Sequence, residues 1–296
     1  MADPVVYALA LVPAVLWGFT PILSKRGMAG GGSSLQASLG VVAVDSTLYW
    51  AVLLALEGAA AFGRISPGAA ALFLGAGVVG TALGRLAVFT GVDRVGASVN
   101  STVISTRPLL ATVLAVPVLG EAVGPLTAAG VVVLVAGLVA LTGSKGGDVE
   151  GWRPRDLAFP LAAAFFFALG NVARRWGLLA FPDAGLLQAV ALNETAALVV
   201  LAGYGLVAGR GDVLRAPRRT YAFFAGSGAI TAVALLALFA ALQRGRVAVV
   251  DPLSATAPLF TVAFAAVLLR DLERVTRGVV AGAALVVVGA ALVTAA

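Results

Sequence analysis

Two stretches of this chain, 150 residues apart, are similar enough to be copies of one segment. Ten of the 29 positions in residues 81–109 are identical to those in residues 231–259. Shared Ala, Val and Leu carry little weight in an apolar chain, so the argument depends on Thr81/Thr231, Phe89/Phe239, Arg94/Arg244, Thr106/Thr256 and Pro108/Pro258. The same register aligns residues 11–27 with residues 161–177. The repeat predicts a molecule built from two related halves, which is typical of membrane transporters.

The composition places most of the chain in lipid. It is 60% hydrophobic and 11% charged, with a mean hydropathy of +1.03, whereas a soluble domain carries about 25% charged residues. A membrane-spanning helix needs about 20 predominantly apolar residues. Ten segments meet that criterion, numbered here 1 to 10 in chain order: 5–24, 35–57, 69–91, 97–119, 123–143, 157–177, 184–207, 220–242, 247–269 and 275–295.

The longest polar stretch, Gly143 to Asp156, divides the chain near its midpoint. It leaves five segments on each side, and because five is odd, the second half must enter the membrane from the opposite face. We therefore predict an all-α integral membrane protein with ten transmembrane helices in two inverted five-helix repeats. The repeats cover residues 1–143 and 157–296, and residues 144–156 form the linker.

Several classes of function are excluded by what the chain lacks. It has no cysteine and no histidine, which removes disulfides, thiol or imidazole metal sites, and Ser–His or Cys–His nucleophile pairs. No P-loop occurs, so a nucleotide-driven pump is not expected. The net charge of +6 resides in short connectors instead of on one face, which does not favour nucleic-acid binding. We expect no metal and no cofactor.

The orientation of the chain is open at this stage. The five connectors after odd-numbered segments hold 13 Lys and Arg, and the other four hold 5. The positive-inside rule then favours both termini outside the cell.

Ionisable residues inside the apolar segments are the first candidates for function. They are Asp45, Arg85, Arg107, Glu194 and Asp251. A charge at the centre of a spanning helix costs about 2.5–3.5 kcal/mol on insertion scales, so such residues pair with each other or face a polar interior. Asp45 and Glu194 occupy nearly equivalent places, 149 residues apart. They either line a cavity that binds cations or protons, or neutralise Arg85 and Arg107 and fix helix packing.

Segments 4 and 9 carry a second signal, which is the pairing of hydroxyl side chains with proline. Proline removes a backbone donor and locally frees a carbonyl. Broken helices at matching places in two halves point to the binding site of a transporter, although Ser and Thr also serve helix packing in lipid. The residues are Ser98, Ser101, Thr102, Ser105, Thr106 and Pro108 in segment 4, and Asp251, Pro252, Ser254, Thr256 and Pro258 in segment 9.

Two further patterns have simpler interpretations. Glycines repeat on helix faces at Gly130/Gly137 and Gly282/Gly289, where small residues allow close helix packing. The glycosylation sequons that begin at Asn100 and Asn193 fall inside predicted helices, so we treat both as chance matches.

These signals combine into one predicted cavity. Segment 4 should face segment 9 across it, with Arg107 attracting an anionic or zwitterionic group and Asp45 or Glu194 supplying the opposite charge. Either acid could load a proton if burial raises its pKa. Trp17 joins the set because it stands in a Trp-Gly-Phe-Thr-Pro run that breaks a helix. The substrate-binding candidates are Trp17, Asp45, Arg85, Ser98, Ser101, Ser105, Arg107, Asn171, Glu194, Phe239, Asp251, Ser254 and Thr256.

The chain resembles the EamA family of the drug/metabolite transporter superfamily. The resemblance depends on LeuTrpGly at 16–18 and on a similar ending of each half: Pro108, Gly120-Glu121, Gly130 and Gly137, then Pro258, Asp271 or Glu273, Gly282 and Gly289. It implies ten helices in two inverted repeats, a cavity formed mainly by segments 1–4 and 6–9, and peripheral segments 5 and 10. Members of the family usually keep both termini in the cytoplasm, which opposes the count of basic residues.

The function that we predict is secondary transport, by export or exchange, of a small metabolite across the cell membrane. The expected partners are this solute, the lipid bilayer, and a coupling proton or counter-substrate. An integral-membrane enzyme acting on lipid or isoprenoid substrates is the alternative, but such enzymes gather Asp clusters for Mg²⁺, and here the acids are scattered singly. A non-transporting assembly subunit would not need polar residues at equivalent depth in both halves.

Overall fold

The computed structural model describes residues 3–62, 65–143, 152–208, 215–268 and 277–295, and all regular structure in these ranges is helical. A π-helical segment, Val78–Leu83, joins α3 to α4. The helices are α1 (Pro4–Ala29), α2 (Ser34–Glu57), α3 (Pro67–Gly77), α4 (Gly84–Ile104), α5 (Arg107–Leu119), α6 (Pro125–Gly143), α7 (Ala158–Ala180), α8 (Leu186–Val207), α9 (Arg218–Arg244), α10 (Val247–Ser254), α11 (Ala257–Leu268) and α12 (Arg277–Ala295).

The sequence fixes several helix starts through proline and serine. Pro4 and Pro67 stand in the first turn of α1 and α3, where a missing backbone donor costs nothing. Ser33 caps α2: its hydroxyl accepts from the Gln36 backbone N–H at 3.2 Å, and the Gln36 side chain accepts from the Ser33 N–H at 2.8 Å. Gly31, with φ of 97°, supplies the left-handed residue that turns the chain between α1 and α2.

Nine helical stretches of the described residues are long and apolar enough to cross a membrane. Eight of them follow segments 1 to 8, and the ninth is segment 9, from Val247 to Phe264. A tenth apolar helix, Ala281–Ala295, is shorter. The chain is therefore a multi-pass membrane protein, and the count of ten spans stays a prediction.

Contacts near the ends of helices define the two membrane faces. At one face, called here the terminal face, the Tyr7 hydroxyl donates to the Thr294 carbonyl at 2.9 Å, and the Gln188 amide donates to the Ala61 carbonyl at 2.9 Å. At the opposite face, the Thr220 hydroxyl donates to the Gly30 carbonyl at 3.1 Å. Helices α1 and α7 are equivalent in the two halves but run in opposite directions. Helix α1 starts at the terminal face, whereas α7 ends there.

Helices α6 and α12 show that the two halves are related by a two-fold axis. A Cβ at Gly130 would contact Val293 and Gly289, and a Cβ at Gly137 would contact Val286 and Gly282. The register is antiparallel, and exchanging the two halves turns the contact of Gly130 with Gly289 into that of Gly282 with Gly137. A two-fold axis that relates antiparallel helices is perpendicular to both, so it lies in the membrane plane. These glycines serve close packing, as predicted.

Other contacts obey the same exchange. Gly27 packs against Phe224 at the opposite face, and Gly177 packs against Phe73 at the terminal face. On the axis itself, equivalent residues touch each other: the Ser46 and Thr195 hydroxyls are 3.4 Å apart where α2 meets α8. The predicted two-repeat architecture is thus present in the packing.

The two halves differ in two places. Segments 3 and 4 correspond to separate spanning stretches, Pro67–Val95 and Val99–Leu119, but helical hydrogen bonding in α4 continues from residue 84 to residue 104. Asn100 nevertheless packs against Gly91, so the chain reverses between them within that helix. The π-helical segment is the second difference, since its counterpart in α9 is regular. Such π-bulges occur frequently at functional sites.

Candidate functional site

Segments 4 and 9 are broken at equivalent residues. Helix α4 ends at Ile104 and α10 ends at Ser254, 150 residues later, and each is followed by two turn residues and a proline-containing helix. The Thr106 hydroxyl donates to the Val103 carbonyl at 2.7 Å, and the Thr256 hydroxyl donates to the Leu253 carbonyl at 2.7 Å. Each of these carbonyls also accepts the backbone N–H of the same threonine, at 3.1 Å for Val103 and 3.2 Å for Leu253, so the two turns close in the same way. The predicted breaks are confirmed.

The two breaks meet through an ion pair. Arg107 Nε donates to Asp251 Oδ2 at 3.2 Å, and Nη2 donates to the Ser254 hydroxyl at 3.3 Å. Asp251 is fully buried, whereas the Arg107 side chain is 16% exposed. The expectation that Asp45 or Glu194 neutralises Arg107 is wrong, because α5 and α10 pack together and place Asp251 beside the guanidinium. The two spans also touch directly instead of facing each other across a cavity.

Arg174 is the centre of a buried hydrogen-bond system that continues from this ion pair. The Asn171 amide donates to Asp251 and its carbonyl oxygen accepts from Arg174 Nη1 at 2.7 Å. Arg174 Nε donates to Asn193 Oδ1 at 3.1 Å, and Nη2 donates to the Thr81 hydroxyl at 2.7 Å. The guanidinium also lies 5.5 Å from the centre of the Phe239 ring. Three nitrogens thus serve three partners, which a lysine cannot do.

Glu194 ends the chain of hydrogen bonds. Its Oε1 accepts from the Thr81 hydroxyl at 3.2 Å and from the Asn193 amide at 2.7 Å. Its Oε2 is buried without a hydrogen-bond partner among the described residues. We call the linked set the polar network: Thr81, Arg107, Asn171, Arg174, Asn193, Glu194 and Asp251.

A cavity of about 310 Å³ lies beside the polar network. Ligand pockets commonly measure roughly 300–1,000 Å³, so this cavity is at the lower end of that range and suits a small solute. Both halves of the chain contribute, through α1, α2, the π-helical segment, α4, α5, α7, α8 and α9. The lining residues are Trp17, Ser38, Gly80, Thr81, Arg85, Val88, Phe89, Arg107, Phe167, Asn171, Arg174, Glu194, Thr231, Leu235 and Leu238.

Of the three arginines that line the cavity, Arg85 makes the fewest polar contacts with other described residues. Within the described ranges it has no hydrogen bond and no ion pair, unlike Arg107 and Arg174. It attracts Asp45 on α2 electrostatically. A guanidinium in this position is available to a carboxylate or phosphate of a solute.

The predicted site residues fall into three groups. Those that line the cavity are Trp17, Arg85, Arg107, Asn171 and Glu194. Those that are buried and are not part of the lining are Asp45, Ser105, Phe239, Asp251, Ser254 and Thr256. Ser101 is exposed and is not part of the lining, and the side chain of Ser98 lies outside what the structure describes. Binding by these residues stays a prediction.

Three members of the polar network were not among the predicted site residues: Thr81, Arg174 and Asn193. Arg174 stands next to Arg175 near a helix end, which is the pattern of a membrane-interface anchor. Asn193 was set aside as part of a chance sequon. The available signal was helical spacing, because Arg174 follows Asn171 by three residues and therefore shares its face of α7. Among the described residues, no three carboxylates come together as a metal site would need.

Comparisons with known proteins agree with this architecture. The EamA-like transporter family matches the chain twice, over residues 5–143 and 156–295. A crystal structure of a protein superposes with a TM-score of 0.78 at 20% sequence identity, covering 98% of both chains. At that identity the likeness concerns the fold alone. A search of curated proteins finds no match.

Proposed function

Because the chain belongs to the EamA-like transporter family and is therefore a membrane transporter, we propose that it moves a small amphipathic metabolite by alternating access as a secondary transporter. The observation that carries the proposal is the cavity between the two related halves, lined by charged and aromatic side chains. Inverted repeats give alternating access a simple geometry, since exchanging the conformations of the halves exchanges the open face.

The lining of the cavity supports a solute with an anionic group and an apolar part. Arg85 offers an unpaired guanidinium, and Arg107 keeps part of its surface open to the cavity. Trp17, Phe89 and Phe167 supply apolar area. A solute that presents a carboxylate or phosphate to Arg85 and an apolar group to these rings would satisfy both kinds of wall.

The cavity is displaced towards the opposite face. Ser38 is in the second turn of α2, which begins at that face, and Phe89 is in the part of α4 that approaches it. Phe89 lines the cavity, but its counterpart in the other half, Phe239, is fully buried. All eight residues of α10 are buried, including Asp251, whereas the counterpart of Asp251 in α4 is the exposed Ser101. These differences fit a state closed at the terminal face.

The first experiment tests transport itself. Purified protein is screened by thermal shift against a panel of organic acids, amino acids and phosphorylated metabolites, because a ligand that binds the folded state raises the apparent stability. Any hit is then followed as a radiolabelled solute in proteoliposomes without nucleotide. Arg85→Met should abolish uptake, and Arg94→Met, which alters an exposed arginine, should retain it. Turnover of a lipid by the pure protein without solute flux would contradict the proposal.

The second experiment tests which face is open. The chain has no cysteine, so single-cysteine variants need no altered background. Met28→Cys reports the opposite face and Asp183→Cys reports the terminal face, since both positions are exposed. A membrane-impermeant thiol reagent should reach Phe89→Cys from the same side as Met28→Cys. Modification of Phe89→Cys from the Asp183 side alone would refute the assignment.

A further inference from the structure

Asp45 is a buried acid whose carboxylate is unsatisfied. It is fully buried in the middle of α2, and neither oxygen has a hydrogen-bond partner among the described residues. Tyr49, one turn later, does not serve it, because the Tyr49 hydroxyl donates to the Ala232 carbonyl at 2.6 Å. A buried ionised carboxylate normally accepts several hydrogen bonds or pairs with a cation. Hydrogen bonding within the described structure therefore does not explain why an acid occupies this position.

Glu194, the counterpart of Asp45 in the second half, has one carboxylate oxygen without a hydrogen-bond partner among the described residues. The hydrogen bonds around it determine where the hydroxyl proton of Thr81 points. Arg174 and the Asn193 amide both donate to the Thr81 hydroxyl, at 2.7 and 3.0 Å. Neither of these groups can accept, so the single hydroxyl proton of Thr81 must point to Glu194 Oε1. Oε1 is thus an acceptor, and Oε2 is the oxygen that remains available to a proton.

The two acids lie close to the two-fold axis, where each is next to the pair of touching hydroxyls of Ser46 and Thr195. They repel each other electrostatically, and two nearby carboxylates in a low-dielectric site cannot both ionise freely. The ionisable groups that face Asp45 are Glu194 from α8, Arg85 from α4 and Tyr49 on α2 itself. Those that face Glu194 are Asp45, Tyr49 and Arg174, the last from α7. Helices α1 and α9 carry their charged side chains at their ends, and α9 and the π-helical segment contribute the hydroxyls of Thr231 and Thr81.

We propose that Asp45 and Glu194 together bind one proton and form the proton-coupling site of the transporter. The step is an addition of H⁺ to one carboxylate oxygen, giving a carboxylic acid, and its reversal returns the proton to water; no electron moves. The coupling role rests on the proposed function, whereas the proton-binding role does not. It is the only acid pair kept at equivalent depth in both halves of the described chain, so it stays at the axis when the halves exchange conformations.

Arg85 links this proton to the solute. It lines the cavity and is the cation that attracts Asp45. A solute anion bound to Arg85 neutralises the charge that favours ionised Asp45, so anion binding and proton binding reinforce each other. By thermodynamic reciprocity, the proton raises the affinity for the anion by the same factor. The solute anion and the proton are then carried in the same direction.

Infrared spectroscopy of the ligand-free protein in nanodiscs tests the proton site without transport. We expect the C=O stretch of one protonated carboxyl group per protein to persist from neutral to moderately alkaline pH. Asp45→Asn and Glu194→Gln should each remove that band, because the remaining acid no longer faces a second carboxylate and ionises in the field of Arg174 or Arg85. Asp183→Asn, which alters an exposed acid, should leave it unchanged.

The outcomes separate this inference from the proposed function. Absence of the band in the unaltered protein, or its survival in both variants, overturns the proton site whether or not the protein transports. Loss of the band in Asp45→Asn alone identifies a single buried acid, which also overturns the pair. Disappearance of the band when choline chloride is replaced by sodium chloride would identify a metal-cation site instead. Proton binding without solute flux in proteoliposomes would leave the site standing and refute only the proposed transport.

Discussion

Removing the Arg174 side chain should be among the most damaging single changes to this protein. The guanidinium donates to Asn171, Asn193 and Thr81 and attracts the carboxylate of Glu194 electrostatically. Only 5% of the residue is exposed, so water cannot replace these bonds. Breaking a buried charged interaction by deleting one partner costs about 3–5 kcal/mol. We expect Arg174→Met to lower the free energy of unfolding by that amount.

A solvated arginine, Arg94, provides the control for this prediction. Arg94 approaches Asp156 to only 4.0 Å, and its side chain is 59% exposed, so Arg94→Met should cost about 1 kcal/mol or less. Steric-trapping or thermal unfolding in bicelles measures both variants. Arg174→Met combined with Glu194→Gln should recover part of the loss, because the double change leaves no uncompensated carboxylate. Equal stability of Arg174→Met and Arg94→Met would refute the buried polar network as a source of stability.

Three further changes test other contacts. Arg107→Ala should cost about 3–5 kcal/mol by leaving Asp251 buried without its cation, and adding Asp251→Asn should restore most of that stability in the same unfolding assay; no rescue would contradict the ion pair. Glu121→Gln should cost about 1–3 kcal/mol, because the two carboxylate oxygens accept the first N–H groups of α10, and unchanged melting would reject this cap. Gly282→Ala should cost about 1–3 kcal/mol because its Cβ would meet backbone atoms of α6, whereas Gly203→Ala has open space and should melt within a few degrees of the original protein.

Much of the fold follows from local rules that a sequence expresses directly. Hydrophobic length gave the spans to within a few residues, for instance 35–57 against the observed Ser34–Glu57. The breaks in spans 4 and 9 were predictable because the effect of Pro108 and Pro258 on backbone donors is local. The boundaries of the two repeats at residues 143 and 157 stay a prediction.

The polar network was only partly predictable because its partners are distant in sequence. Arg174 and Thr81 are 93 positions apart and meet because Gly80 and Gly170 allow α7 to approach the π-helical segment closely. Nothing near Arg174 in the sequence indicates that approach, and the adjacent Arg175 suggests an interface anchor. Arg175 itself donates to the Leu242 and Gln243 carbonyls at the terminal face. Two neighbouring arginines thus have different roles, which only the packing distinguishes.

The helices of the two halves pack in equivalent ways, but the side chains that hold the two faces differ. At the terminal face, α7 is joined to the π-helical segment by the guanidinium of Arg174. At the equivalent contact in the other half, α1 meets α9 through the Ser24 and Ser227 hydroxyls, which are 3.5 Å apart. A buried charged hydrogen bond is stronger than a contact between two hydroxyls. The terminal face is therefore held more firmly, in agreement with the proposed state that is closed there. In the proposed transport cycle a solute shifts this equilibrium only by binding the two states unequally, so a solute anion at Arg85 would open the terminal face only by binding the state without the Arg174 contacts more tightly.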